Sequence, residues 1–229
     1  MSNGTADAVR WVEVSPERLA AWLDSFAQRH GPVSAEPGPD VVTFRAGDGA
    51  VAECHVPFPP LPGPADPAGP PADIAEQISA HARAGRTVGV LLVRLGGYAA
   101  GVFTGPDAQL AASKVGSRLV HGRSAAGGTS QHRFARRREK QASEALGAAA
   151  DTAAAVFGPY AGQLDAVVLG GDRRSITGLR DDPRLRPFLS LAVERFLTVP
   201  DPRLAVLRGA PRLFRAIRIR LTEPAPPAG

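Results

Sequence analysis

The chain has one cysteine, Cys54, which excludes an internal disulfide and any site built from several thiolates. Aromatic residues make up only 6% of the 229 positions, so alanine, valine and leucine must fill most of any core. No apolar run approaches the roughly 20 residues of a membrane-spanning helix. Met1 to Arg10 lacks the apolar stretch of a secretory leader. There is no HExxH or paired-cysteine spacing, so a zinc site is not expected, and no Walker A or GxGxxG, so no cofactor is expected. Lysine is nearly absent, at two of 27 basic residues. Arginine at any one position therefore says little about bidentate recognition. These absences point to a cytoplasmic protein with no membrane contact.

What is present is enough apolar material, 44% of the chain, for one large domain or two small ones. The net charge of +5 is unevenly spread. From Lys114 to Lys140 there are eight basic residues against one acid, a local net charge of +7, so the rest of the chain sums to −2. The basicity is one patch, the footprint expected for a phosphate backbone.

Val9 to Val14 alternates as a strand, and Ser15-Pro16 opens a helix with the apolar stripe Leu19, Trp22, Leu23 and Phe26, ending near Gly31. Val41 to Arg45 and Val51 to Val56 form a hairpin around Gly47–Gly49. Pro57 to Ala72 holds eight prolines and reads as a linker or surface loop, the expected domain boundary. The expected division is a strand-helix-hairpin portion over 1–56, the proline-rich stretch over 57–72, a second domain over 73–222 and a disordered tail over 223–229.

Beyond the prolines, Ile74 to Ala84 reads as a helix. Thr87 to Leu95 and Tyr98 to Thr104 read as strands joined at Gly96-Gly97, and Leu110 to Gly122 as a strand pair or extended arm. A long helix is predicted from Gln131 to about Phe157. A short strand over Ala166 to Leu169 runs into Gly170-Gly171-Asp172, with a helix over Arg174 to Leu179. Leu191 to Leu197 reads as helical, Arg203 to Arg208 as a short helix, and Ala216 to Leu221 as a last strand. Alternating strands and helices predict an α/β domain with a mixed sheet and flanking helices. No internal repeat is evident.

The stretch from Gly127 to Gln141, GGTSQHRFARRREKQ, carries the chemistry. At helical spacing Arg133, Arg136, Arg137 and Lys140 fall within one arc of about 100°, with Phe134, Ala142, Ala145, Ala149, Ala153 and Val156 opposite. Cations at a helix N-terminus oppose the macrodipole, so stability does not account for them, whereas a docked anion would gain both the dipole and the free N–H groups. The duller reading is a solvated basic face. Arg138 falls on the apolar side beside Phe134 and is expected to fold over the core edge in support of the loop. Gly127-Gly128 can adopt positive φ and let the backbone approach another chain closely.

Other candidates have plainer readings. His132 contacts phosphate or is simply exposed, and His121 has no metal partner. Ser130 lies outside a GxSxG elbow. Gly170-Gly171-Asp172 is a strand-end site or a tight turn with Asp172 capping a helix. Cys54-His55 is read as strand packing.

The segment GGTSQHRFARRREKQ resembles the loop of the release-factor-like peptidyl-tRNA hydrolases of ribosome quality control, the family typified by yeast Vms-one, in its actinobacterial branch. KVGSRLVHGR (Lys114–Arg123) and VVLGGDRR (Val167–Arg174) extend the resemblance, which covers about Thr87 to Leu221. It implies a fold similar to the catalytic middle domain of archaeal and eukaryotic class I release factors. Their loop carries Gly-Gly-Gln, whereas here Thr129 and Ser130 separate the glycines from Gln131.

The implied function is release of nascent chains from peptidyl-tRNA on stalled large ribosomal subunits. Gln131, Gly127 and Gly128 would then be catalytic, with Thr129, Ser130 and Arg138 supporting the loop. Lys114, Arg118, Arg123, Arg133, Arg136, Arg137 and Lys140 would grip RNA. Gln131 would orient a water or stabilise the oxyanion, since an amide is no general base at neutral pH. Peptidyl-tRNA and the large subunit are the expected partners, with the protein acting as a monomer. The alternatives are a non-catalytic tRNA or rRNA binder and a nuclease clipping the tRNA CCA end.

Overall fold

Alternating burial along Val42, Phe44, Ala52, Cys54, Ile217, Ile219 and Leu221 builds the first of two sheets. The computed structural model describes residues 8–63, 69–94, 96–117 and 131–224, with the backbone alone over 131–138. It divides into two compact units, 1–84 with 215–229, and 85–214.

The first unit holds β1 (Ala8–Val14), a 3₁₀ turn (Pro16–Arg18), α1 (Leu19–His30), β2 (Val33–Glu36), β3 (Val41–Ala46), β4 (Val51–His55) and α2 (Pro71–Arg83), with β10 (Ile217–Glu223). Its sheet runs β1-β10-β4-β3-β2 and is antiparallel throughout. Leu19, Leu23 and Phe26 of α1 and Ile74 and Ile78 of α2 pack in its core. Gly31 ends α1 at φ 87°, a conformation that favours glycine. Cys54 is buried there, and burial pushes its thiol up to about 12, so it stays protonated and unreactive.

The second unit holds β5 (Val88–Arg94), β6 (Gly97–Thr104), β7 (Gln109–Ser117), α3 (Gln131–Phe157), β8 (Ala166–Gly171), α4 (Arg173–Leu179), α5 (Arg186–Leu189), β9 (Ala192–Leu197), α6 (Leu204–Arg208) and α7 (Ala210–Phe214). The sheet order is β7-β6-β5-β8-β9. The β7-β6-β5 side is antiparallel, while β5-β8 and β8-β9 are parallel. The protein is thus mixed α/β, with two sheets and flanking helices.

Three expectations need correction. Residues 192–197 form a strand and not a helix. The run is too short for a stable helix before Pro200, and Val193 and Phe196 suit a sheet edge. The compact units do not divide at 57–72. Helix α2 buries Ile74, Ala75, Ile78 and Ala82 in the first core, and β10 pairs between β1 and β4, so both count with the N-terminal part. Ala142, expected on the apolar face of α3, is exposed. The strand β2 and the helices α5 and α7, absent from the sequence reading, are each only four or five residues long.

Candidate functional site

The second unit's edge strand β7 ends at Ser117, and α3 begins at Gln131. The thirteen residues between them, 118–130, lie outside the described residues, and with them Arg118, Arg123, Gly127, Gly128, Thr129 and Ser130. The side chains of Gln131, Arg133, Arg136, Arg137 and Arg138 are likewise outside the description, as is that of His132. The structure does fix the two elements that carry the segment.

Helix α3 has 27 residues, a length of about 40 Å at 1.5 Å per residue. Its second half is anchored. Ala149, Ala150, Ala153, Val156 and Phe157 belong to the core of the unit, together with Leu91, Val93, Ala100 and Val102 from the sheet. Gly89 leaves room for the Phe157 ring, which would lie 3.2 Å from any Cβ there. Toward the N-terminus, Glu139, Lys140, Ala142, Ser143 and Glu144 are exposed and Gln141 is half-buried, so among the described side chains of α3 the first buried one is Ala145. From Gln131 to Ala145 the helix rises about 21 Å. Lys140 is 79% exposed, 4.0 Å from Glu144 one turn on, a pairing of little energetic weight at such exposure.

Strand β7 shares a face with this helix. Lys114 pairs with Ala100 and Gly116 with Tyr98. Directly opposed residues of an antiparallel pair point to the same side. Ala100 packs in the α3 core, so Lys114, which is exposed, stands on the α3 side of the sheet. Gly116 is required there, because a Cβ would fall 2.5 Å from the Tyr98 hydroxyl and 2.6 Å from its ring. Among the expected RNA-binding residues with described side chains, Lys114 and Lys140 are thus both solvent-accessible.

The strand-end motif Gly170-Gly171-Asp172 proves to be a turn and a cap. Gly171 has φ 100° and no space for a Cβ against the Val93 carbonyl. The Asp172 carboxylate accepts from the backbone N–H groups of Arg174 (3.3 Å) and Ser175 (3.1 Å) and from the Ser175 hydroxyl (2.7 Å). The Ser175 hydroxyl, with the cap N–H groups behind it, holds this carboxyl below the usual carboxylate range.

One concavity escaped the sequence reading. A cavity of about 340 Å³ lies between α4 and β9. The helical reading of 191–197 concealed it. The signal was Arg173, Thr177 and Arg180, which at spacings of four and three share one helical face. Among the described residues no group of His, Cys, Asp and Glu is placed to hold a metal ion, and no helix is long and apolar enough to cross a membrane.

Comparison with known proteins gives a family. The profile of the Actinobacteria/chloroflexi VLRF1 release factor matches residues 86–220. No curated protein matches. Among solved structures, one titled "Archaeal protein" is 12% identical, with 92% of this chain and 68% of that chain covered and a TM-score of 0.38. Another, titled "Vms1 mitochondrial localization core", is 12% identical, with 77% and 71% covered and a TM-score of 0.34.

Proposed function

Because this chain belongs to the Actinobacteria/chloroflexi VLRF1 release factor family, we propose that it is a peptidyl-tRNA hydrolase. On this reading it frees nascent chains from tRNA on stalled large ribosomal subunits in the cytoplasm, and acts as a monomer. The observation that supports it best is the mounting of residues 118–130 between an exposed edge strand and a helix with no buried described side chain before Ala145. Such a mounting can carry a loop into a narrow ribosomal cavity while the body of the unit stays outside.

Each part then has a task. Lys114, Arg118 and Arg123 on the strand side, with Arg133, Arg136, Arg137 and Lys140 on the helix, hold acceptor-stem phosphates. Gly127 and Gly128 let the backbone close on the terminal adenosine. Gln131 positions a water, or its N–H stabilises the oxyanion, at the ester joining peptide to tRNA. Thr129, Ser130 and Arg138 brace the loop. No cofactor enters.

The test is to incubate large-subunit-bound peptidyl-tRNA with the protein and map the 3′ end of the released tRNA. Ester hydrolysis leaves an intact CCA end. A shortened end would replace hydrolysis by nuclease action, and binding without release would leave only an RNA-binding module.

A further inference from the structure

The cavity between α4 and β9 has a structural cause. In β8, Val167 and Leu169 are two residues apart, yet their partners in β9, Ala192 and Phe196, are four apart. This bulge carries Val193 to Arg195 away from β8 and opens a hollow floored by Leu169, Ile176, Leu189 and Ala192. Residues of both strand parities line it, so it follows the sheet edge. β9 and β7 are the two edges of a five-stranded sheet, which at about 4.8 Å per strand puts the hollow roughly 19 Å across from the loop-bearing strand.

Its chemistry is specific. The Arg173 guanidinium lies over the Phe196 ring, with its carbon 4.3 Å from the centroid. Arg180 stands about 10 Å further along the same helical face. Arg173, Arg180 and Glu194 are exposed, and among the described residues none of the three forms an ion pair. Arg195 also lines the hollow, but its guanidinium already donates to the Leu213 carbonyl at 2.8 Å. The hollow thus offers a guanidinium plane backed by an aromatic ring, a cation, an apolar floor and one carboxylate.

We propose that this hollow binds an unstacked guanosine of single-stranded RNA, a contact separate from the loop at 118–130. The base stacks on the open side of the Arg173 plane, whose other side rests on Phe196, a mode suited to splayed-out bases. Arg180 pairs with the adjoining phosphate. Glu194 gives a reason for a lone acid in a cationic groove. Guanine N1–H and N2–H both donate to a carboxylate, whereas the adenine edge offers a single amine and an acceptor that the carboxylate repels. An acidic peptide would satisfy the arginines but would meet Glu194 with like charge and leave the stacking plane unused.

The experiment titrates the full ¹⁵N-labelled chain with 5′-GMP and 5′-AMP and follows amide shifts. Shifts at Thr177, Arg180 and 192–196, with GMP binding at least about fivefold tighter than AMP, are expected. Glu194→Gln should remove that preference, weakening GMP through the lost second acceptor and strengthening AMP through the lost repulsion. Arg180→Glu should weaken both nucleotides about tenfold or more, and Arg180→Gln by less, with the thermal midpoint of each variant compared with the parent. Shifts confined to 114–140, equal binding of GMP and AMP by the parent chain, or tighter binding of a glutamate-rich peptide in the hollow would each overturn the proposal. Peptide release is not measured here, so failure of this site and failure of the hydrolase reading are distinguishable.

Discussion

The two halves of α3 are built from different high-propensity residues, arginine, glutamine and glutamate before Ala145 and alanine from there on. From Ala145 to Phe157 the alanines sit against β5, β6 and β7, and their small size lets the helix lie close to the sheet. From Glu139 to Glu144 the described side chains are exposed, apart from half-buried Gln141. The sequence from Gln131 to Lys140 carries five basic residues and one acid. A helix forms in both halves because alanine, glutamate, glutamine and arginine favour it wherever they lie. Helical propensity therefore sets the element, and burial decides which half is anchor and which is arm.

Charge reversal in the arm should have the largest effect on binding. Replacing Arg133, Arg136 and Arg137 by glutamate should cut tRNA or large-subunit affinity and lower the salt dependence of log K by about one per arginine. Thermal denaturation should scarcely change. Unaltered binding at physiological salt would remove the division of labour between the halves.

Next in size is overpacking of the anchor. Ala149→Leu adds bulk at a position with no exposure and should destabilise by about 1–3 kcal/mol. The same change at exposed Ala142 should stay within about 0.5 kcal/mol. Urea denaturation of the two variants measures the contrast directly, and equal losses would show that the arm is buried after all.

A smaller effect is expected at the Asp172 cap. Asp172→Ala should cost about 1 kcal/mol at neutral pH. The folded carboxyl is held below its ordinary value. Its contribution is thus complete above the unfolded value near 3.9 and disappears as pH falls through the folded one. The gap between parent and variant should begin to close at about pH 4 and vanish once the pH is below the folded value. The smallest effect is at Lys140, where loss of the exposed pair with Glu144 in Lys140→Ala should change stability by no more than a few tenths of a kcal/mol.

Much of the architecture was legible because its signals are local. Both ends of α3 follow from a polar, glycine-rich segment before Gln131 and from Gly158-Pro159 after Phe157. The hairpin of β5 and β6 is set by Gly96-Gly97 between two apolar runs. What failed was non-local. Residues 192–197 are a short run whose strand character is completed by pairing with β8, a partner that no local signal names. The grouping of β10 with the first unit depends on a partner over 160 residues away in sequence, as in the Arg220–Glu53 pair at 2.7 Å. Of the site, the order of basic residues and glycines was legible. The exposed face of Lys114 needed the register with Ala100.

The hydrolase reading rests finally on Gln131. The most direct measurement is single-turnover peptide release from large-subunit-bound peptidyl-tRNA by the parent chain, Gln131→Ala and Gly128→Ala, with subunit binding measured in parallel. A lost preorganised donor is worth on the order of 10²–10³ in rate, so Gln131→Ala should slow release by that factor with little change in binding. If the backbone N–H carries the stabilisation, the loss moves to Gly128→Ala, which distorts the loop. Full release activity in both variants would contradict the account.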